Sequence, residues 1–312
     1  MPFKSASYLL PRSSDAPFQK VLLLFAIKLI MEFWNTTPGV LVLTYLCIAS
    51  AVSFIPQLFR ILARRDSSGV AIAYVLLNLV SATHQLALGA LYFGFADVQD
   101  NVFVWSWPPS TTDWLNVAQL LIFWAGTLAI FMACLATSTQ SAGAKSVAVL
   151  IYLAVLLVTI VPAVVIINDP EEHKKSPGRW PPFLARDLFL GGHVLYIVPV
   201  VTLLAAVSFY FEASVILLRP PGDAGSLSLI GMLVQALVFG AVAVSWESRV
   251  RWPDHPPPLG GGLVWWGWYR MIGWAAIDNA IFAAGQAYLW FLLRRRVTAN
   301  VALTGETEPL VG

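Results

Sequence analysis

Residues 53–69 have the sequence SFIPQLFRILARRDSSG, in which a proline and a glutamine lie near the end of an apolar segment. Three arginines and a Ser-Ser-Gly turn complete the stretch, and a second apolar run begins at Val70. A proline inside a helix removes one backbone hydrogen bond and clashes with the preceding turn, so we expect a kink at Pro56. In lipid the freed carbonyl needs a partner within the protein, which predicts that Pro56 faces protein rather than acyl chains.

The composition indicates a membrane protein. Of the 312 residues, 58% are hydrophobic and only 12% are charged, and the mean hydropathy is +0.73. In soluble domains roughly a quarter of the residues are charged. Apolar runs of the ~20 residues needed to cross a bilayer recur along the chain. We therefore predict an all-α polytopic membrane protein embedded in a lipid bilayer.

Neither a cofactor nor a nucleic-acid partner is indicated. The net charge is only +2. Cys47 and Cys134 both lie in apolar runs, where a free cysteine behaves as a small core residue. The sequence contains no Gly-rich phosphate loop and no His/Cys cluster of the kind that binds a metal.

Seven transmembrane helices are predicted, at residues 38–61, 70–94, 114–136, 146–167, 189–218, 226–246 and 270–293. Asp113 is the expected N-cap of the third helix. Residues 1–37 are expected to form a disordered tail and an interfacial helix, and residues 297–312 a second tail. Asn35 is a glycosylation candidate, but it adjoins the first span and is usable only if that end is lumenal.

An internal repeat relates the segments after the first and fifth spans. SFIPQ at residues 53–57 matches SFYFE at residues 208–212, and Gly69 matches Gly225 after one extra residue. The second copy has lost the Pro-Gln pair. The simplest architecture is two parallel three-helix bundles, at residues 38–137 and 188–296. Residues 138–187 then supply a linker helix and a loop, and a substrate site is expected between the bundles near the membrane midplane.

The Pro-Gln pair, the short basic loop and the Ser-Gly helix start together resemble the PQ-loop repeat family of membrane proteins. This family includes cystinosin-like lysosomal and vacuolar amino-acid exporters and, more distantly, the SWEET sugar carriers. The resemblance extends over about residues 38–296 and implies a transporter. It also implies that the Pro-Gln positions are hinges between inward-open and outward-open states. We assign that role to Pro56 and Gln57, with Pro199 as a partial replacement for the lost second proline.

Polar side chains inside a span are costly in lipid, so each is a candidate for a functional role. Asn78, Ser81 and Gln85 share one helical face of the second span. His84 lies one position off that face and is expected to be a satisfied core histidine. The predicted substrate pathway combines the face with amides of other spans: Asn78, Ser81, Gln85, Asn116, Gln119, Gln235, Asn279 and Gln286.

Two carboxyl groups are candidates for proton coupling. Asp278 lies closest to the centre of a span, where a carboxyl can take up and release protons; the alternative is a structural carboxyl bonded to a neighbouring helix. Glu212 lies nearer the end of the fifth span and could instead reach the interface or pair with Arg219. The resemblance implies an acid near Gln235 in proton-coupled members, and this chain has none there. Asp278 is therefore our proposed substitute.

Three functions fit this pattern. The first is a transporter of a small polar solute, for which a cationic amino acid is one option. The second is a membrane-embedded enzyme such as a terpene cyclase, with Glu212, Glu247 or Asp278 as general acids. The third is a receptor on the same fold.

The counts of Lys and Arg in the loops are nearly balanced. The first loop carries three arginines and favours a cytosolic location for itself, with the N-terminus lumenal and the C-terminus cytosolic. The resemblance implies the same topology. Residues 306–311 resemble an acidic dileucine signal, which predicts sorting adaptors as partners and a vacuolar or lysosomal membrane. The alternative is a solvated acidic tail without a sorting role.

Overall fold

The computed structural model describes residues 33–34, 36–94, 105–106, 108–168, 191–220, 223–249, 266–269 and 273–305. These residues are helical, with no strand among them. The α-helices of ten residues or more are α1 (Thr37–Ser53), α2 (Ile55–Arg64), α3 (Ile72–Gly94), α4 (Thr111–Thr137), α5 (Ala142–Asn168), α6 (Val198–Leu218), α7 (Leu229–Arg249) and α8 (Trp274–Gly305). A π-helical turn, His193–Ile197, leads directly into α6.

Seven stretches are long and apolar enough to cross a membrane: Thr37–Arg64, Ile72–Gly94, Thr111–Thr137, Ala142–Val165, His193–Leu218, Leu229–Arg249 and Trp274–Thr298. The predicted all-helical fold with seven spans is therefore confirmed, and the chain is a multi-pass membrane protein. Some predicted bounds were wrong. The sixth span continues to Arg249, which hydropathy had placed in a loop, because its charge is buried against other helices.

The first span is interrupted two residues before its proline. α1 ends at Ser53 and α2 begins at Ile55, so that Pro56 lies in the first turn of α2. A proline costs least in a first turn, where the missing N–H has no intrahelical acceptor. The kink thus takes the form of a break at Phe54. Pro56 is half-buried.

Asp113 is not the N-cap of α4. Ser110 holds that position, and Asp113 lies at the third helical residue in a reciprocal capping box. The backbone N–H of Ser110 donates to Asp113 Oδ2 at 2.7 Å. This pairing satisfies donors at both positions, so the helix begins three residues earlier than predicted.

The helices pack in two similar sets. α4 contacts α1, α2 and α3, and α8 contacts α6 and α7. Between the sets, α3 packs against α6, while α1 and α2 pack against α7. α5 packs against α3 and presents an apolar surface outward. The division into two bundles stays a prediction.

The two ends of the helix assembly differ in composition. We call the end that carries Arg60, Arg64 and Arg219 the arginine end. The opposite end, with the buried side chains of Trp34, Trp246 and Trp274, is the tryptophan end.

The centre is filled by aromatic rings. Adjacent centroids lie 4.9–6.4 Å apart, and the cluster consists of Phe54, Phe123, Phe209, Phe239 and Phe282. Phe54 packs on Gly126 of α4, and Phe209 packs on Gly285 of α8, where a Cβ would collide with either ring.

Candidate functional site

A small cavity, mostly apolar but with several amide side chains in its lining, lies beside the aromatic cluster, towards the arginine end. Gln57, Asn78, Gln235 and Gln286 line it, together with the hydroxyls of Tyr74 and Thr127. Four of the predicted pathway or hinge residues therefore meet at one place. The space open to water is about 30 Å³, enough for a few water molecules at roughly 10–15 Å³ each and too small for an amino acid.

The lining comes in matched pairs from the two packing sets. Val75 and Met232 form one pair and Asn78 and Gln235 another, with the same sequence separation in both. α4 and α8 contribute further pairs, which are Thr127 with Gln286 and Ile130 with Leu289.

Gln57 bonds to the backbone at the start of α7. Its Nε2 donates to Ser226 O at 3.0 Å, and its Oε1 accepts from the N–H of Ser228 at 2.8 Å. Ser228 directly precedes α7. The glutamine of the Pro-Gln pair thus satisfies a donor that the start of a helix leaves without an intrahelical partner.

Glu212, the repeat counterpart of Gln57, makes the same kind of contact at the start of α3. Its Oε2 accepts from the N–H of Ala71 at 2.7 Å, and Ala71 directly precedes α3. The side chain is fully buried, so the alternative that it reaches the interface is wrong. Glu212 Oε1 and both terminal nitrogens of Arg219 have no hydrogen-bond partner among the described residues.

The two loops at the arginine end are joined to each other. Arg60 and Arg64 both donate to Gly225 O, at 3.1 and 2.5 Å. Ser226 Oγ donates to Ser68 O at 3.2 Å. These bonds run from α2 and the loop that follows it to the loop that follows α6, and they close this end.

The guanidinium of Arg219 lies between two glycines, one in each loop. Gly69 has φ +103° and Gly225 has φ +51°, and a Cβ on either would meet the Arg219 side chain. Burial lowers the pKa of Arg219, while Glu212 and Asp223 act in the opposite direction. Arg296 of α8 donates to Arg219 O, so the last span is tied to the same loop.

Asp278 is fully surrounded by protein and belongs to a chain of hydrogen bonds. Its Oδ1 accepts from Thr202 Oγ1 at 2.5 Å, and its Oδ2 accepts from Gln85 Nε2 at 3.3 Å. Thr202 in turn accepts from the half-buried Tyr269 hydroxyl at 2.8 Å. Burial raises the pKa of Tyr269, so the phenol keeps the proton that it donates. Gln85 also donates to Ser81.

Three further pathway residues bond across or within helices. Asn78 Nδ2 donates to Ser208 Oγ at 2.8 Å, which links α3 to α6. Asn279 Nδ2 donates to Ala275 O of its own helix and does not line the cavity. Gln286 does line it and donates to the Tyr74 hydroxyl at 2.6 Å. The shared face of Asn279 and Gln286 therefore does not become one surface of the cavity.

Asn116 and Gln119 are engaged elsewhere. Their oxygens accept from the guanidinium of Arg249 at 2.7 and 2.9 Å, near the tryptophan end. Sequence reasoning missed Arg249 because it lies at the end of an apolar run, where arginines commonly reach the interface. The two amides one turn apart on α4 were the available signal for a buried partner.

His84 is buried, but it is not the satisfied histidine we expected. Both of its ring nitrogens lack a hydrogen-bond partner among the described residues. Its ring stacks on that of His193 with centroids 5.5 Å apart. The stack joins α3 to the π-helical turn. Pro199 follows this turn in the first turn of α6, so the fifth span changes its helical geometry just before its proline.

The comparisons agree with the Pro-Gln motif. Residues 41–87 match the family model of the PQ loop repeat. The chain carries a PQ-loop repeat. The match spans α2, the loop of residues 65–71 and parts of α1 and α3, and it confirms the predicted resemblance over that stretch. No curated protein and no solved structure is similar enough to the chain to match it.

Proposed function

We propose that this multi-pass membrane protein transports a small polar solute by alternating access between two three-helix bundles, residues 38–137 and 188–296. The packing of α4 and α8, each against the other helices of its own set, supports this division. The PQ-loop repeat at residues 41–87 supports a transporter.

One observation carries the proposal, which is the cavity between the two sets, with amide groups in an otherwise mostly apolar lining. Amide side chains from both sets line it, although buried polar groups are expensive in a membrane protein. The cavity is too small for a solute in this conformation. A carrier in a closed state has this geometry, and rocking of the bundles would widen the space.

The closure at the arginine end suits a gate. It consists of side-chain bonds to the backbone of the opposite loop, made by Gln57, Glu212, Arg60 and Arg64. Such bonds can break and re-form without disturbing a packed core. The break at Phe54 beside Pro56 and the π-helical turn before Pro199 are the hinges of the proposed motion.

Asp278 is the proposed proton-coupling residue. Tyr269 and Thr202 form a hydrogen-bonded path to it from the tryptophan end. Within the described part of the chain no cation pairs with Asp278, so this carboxyl is also a suitable contact for the amino group of a solute. That property favours an amino acid, and a cationic one is included in the proposal.

The orientation and the location belong to the same proposal. The arginine end is cytosolic and the membrane is vacuolar or lysosomal. The sorting signal at residues 306–311 and the sequon at Asn35 lie outside the described residues. The enzyme alternative gains no support from the site, because neither Glu212 nor Asp278 lines the cavity.

The test is uptake of labelled amino acids and sugars into proteoliposomes, with and without a pH gradient. We expect one solute to be accumulated, and its gradient-driven uptake to be abolished in Asp278→Asn. If wild type moves none of these solutes under either condition, the transporter proposal fails. Turnover of a prenylated substrate by the same preparation would favour the enzyme.

A further inference from the structure

A buried cation near the tryptophan end has no counter-charge among the residues that the structure describes. Arg249 is 4% exposed at the end of α7. No carboxylate of the described residues forms an ion pair with it. Glu247 points outward on the exposed face of α7, and Asp113 is bonded to Ser106 and Ser110. Burying an unpaired charge costs several kcal/mol, so an anionic partner would relieve a real penalty.

The side chains around this cation hold it in place, and some of their N–H donors have no hydrogen-bond partner among the described residues. Oxygens of Asn116, Gln119 and Ser245 accept from the two terminal nitrogens of Arg249. Indole rings flank the guanidinium, with the Trp246 centroid 4.6 Å and the Trp34 centroid 5.7 Å from it. Buried N–H donors without a partner remain on four of these groups: Arg249 Nε, Asn116 Nδ2, Gln119 Nε2 and Trp246 Nε1.

This arrangement needs acceptors and negative charge. A carboxylate supplies both, and its two oxygens match the planar fork of a guanidinium. We propose that Arg249 binds the carboxylate of a small solute at the tryptophan end, with Asn116 and Gln119 holding the guanidinium until the solute arrives. The inference rests on the proposed function and deepens it, since it assigns the solute to the carboxylates.

The contacts of Arg249 also link the two packing sets. Arg249 lies on α7, and Asn116 and Gln119 lie on α4. The indole N–H of Trp34, just before α1, donates to Ser248 O at 3.0 Å. A carboxylate that takes over the guanidinium releases bonds between α4 and α7, so binding loosens this end.

The experiment measures binding apart from transport. The unfolding temperature of the full chain in detergent is followed against acetate, lactate, succinate and the amino acids, at constant ionic strength set with sodium chloride. Each amino acid is compared with its amide, which keeps the ammonium group and lacks the carboxylate. We expect a saturable rise of several degrees with at least one carboxylate and no rise with the matching amide. Equal rises for acid and amide, a rise with chloride alone, or no rise with any carboxylate overturns the inference.

Three variants locate the effect. Arg249→Gln should abolish the response, whereas Arg294→Gln should keep it; Arg294 also lies over an indole ring, that of Trp290, but is exposed. Asn116→Asp places a carboxylate beside Arg249 and should raise the basal unfolding temperature while removing the response. A full response in Arg249→Gln, or in Asn116→Asp, contradicts the proposed site.

The transport assay then separates the two proposals. Carboxylate binding that depends on Arg249, without flux of any solute, supports this site and contradicts the transporter proposal. Flux in Arg249→Gln with an unchanged KM supports the transporter proposal and contradicts this site.

Discussion

Gln57 and Glu212 occupy equivalent positions of the repeat, and each accepts a backbone N–H at the start of a helix in the other packing set. The Gln57 bond to Ser228 N is 2.8 Å long, and the Glu212 bond to Ala71 N is 2.7 Å long. The loss of the second Pro-Gln pair therefore does not remove the contact that glutamine provides. A carboxyl oxygen provides it instead, although Glu212 makes only this one bond among the described residues, whereas Gln57 also donates to Ser226 O.

Gln57→Leu should loosen the arginine end. The change leaves the N–H of Ser228 buried without an acceptor, which typically costs about 1–3 kcal/mol. We expect a lower unfolding temperature. We also expect a cysteine introduced at position 226 to react faster with a membrane-impermeant maleimide. Gln57→Glu keeps the acceptor and should label more slowly than Gln57→Leu. Equal rates in wild type and Gln57→Leu would contradict the assigned role.

Glu212→Gln should show whether the hydrogen bond to Ala71 or a charge on Glu212 stabilises the arginine end. The amide oxygen can still accept from Ala71 N, so the unfolding temperature should stay within a few degrees of wild type. Glu212→Ala removes the acceptor and should cost about 1–3 kcal/mol. Both are measured by thermal unfolding in detergent. A large loss of stability in Glu212→Gln would show that the charge, rather than the hydrogen bond, stabilises this end.

Gly69→Ala and Gly225→Ala should each destabilise the joined loops. Both glycines have positive φ, where an L-residue is strained by about 1–2 kcal/mol, and the new methyl meets Arg219. Gly143→Ala is the matched control, because Gly143 lies in α5 with open space around its Cα. That change should be neutral or stabilising by up to about 1 kcal/mol. Comparable losses of stability at all three sites would argue against a special role for the loops.

Tyr269→Phe and Thr202→Val should slow proton delivery to Asp278 without removing the carboxyl. Tyr269→Phe removes one bond of the path from the tryptophan end, and Thr202→Val removes both. We expect gradient-driven uptake to fall while exchange at equal pH is retained, in contrast to a variant with a general folding defect. Proteoliposome uptake with an internal pH dye measures both. Unchanged proton flux in the double variant would contradict the proposed proton path.

Acid should weaken the first loop through Asp66. Hydrogen bonds from Ser68, of which the backbone N–H bond is 2.6 Å long, lower the pKa of Asp66. A group with a lowered pKa in the folded state stabilises the fold above its unfolded pKa of about 3.9. This contribution is lost as the pH falls through the lowered value. Asp66→Asn should therefore flatten the acid limb of an unfolding-temperature profile below about pH 4 and leave the profile at neutral pH unchanged in shape.

The helical periodicity predicted which amides lie in the interior, because lipid penalises a polar side chain wherever it is not covered. Asn78, Gln235 and Gln286 do meet at the cavity. Periodicity could not assign Asn116 and Gln119 to their partner. Their contact with Arg249 depends on how α4 and α7 cross, and that crossing cannot be predicted from a single sequence.

Local rules predicted most helix ends to within a few residues, but α8 continues to Gly305, twelve residues beyond its predicted end and into the predicted tail. They also failed where a longer-range bond decided. Asp113 satisfies the donor rule for an N-cap, but Ser110 with Asp113 satisfies two donors at once. The side chain of Glu212 near the end of a span suggested contact with water or with Arg219. Its actual partner is the N–H of Ala71, far away in sequence and beyond the reach of a local rule.

The phenylalanine cluster has an electrical consequence. On α8 the ring of Phe282 lies one turn from Asp278 on one side and one turn from Gln286 on the other, and it packs against three further rings. Hydrocarbon thus lies between the carboxyl and the cavity that Gln286 lines. A proton that passes from one to the other in this conformation would need a ring to move.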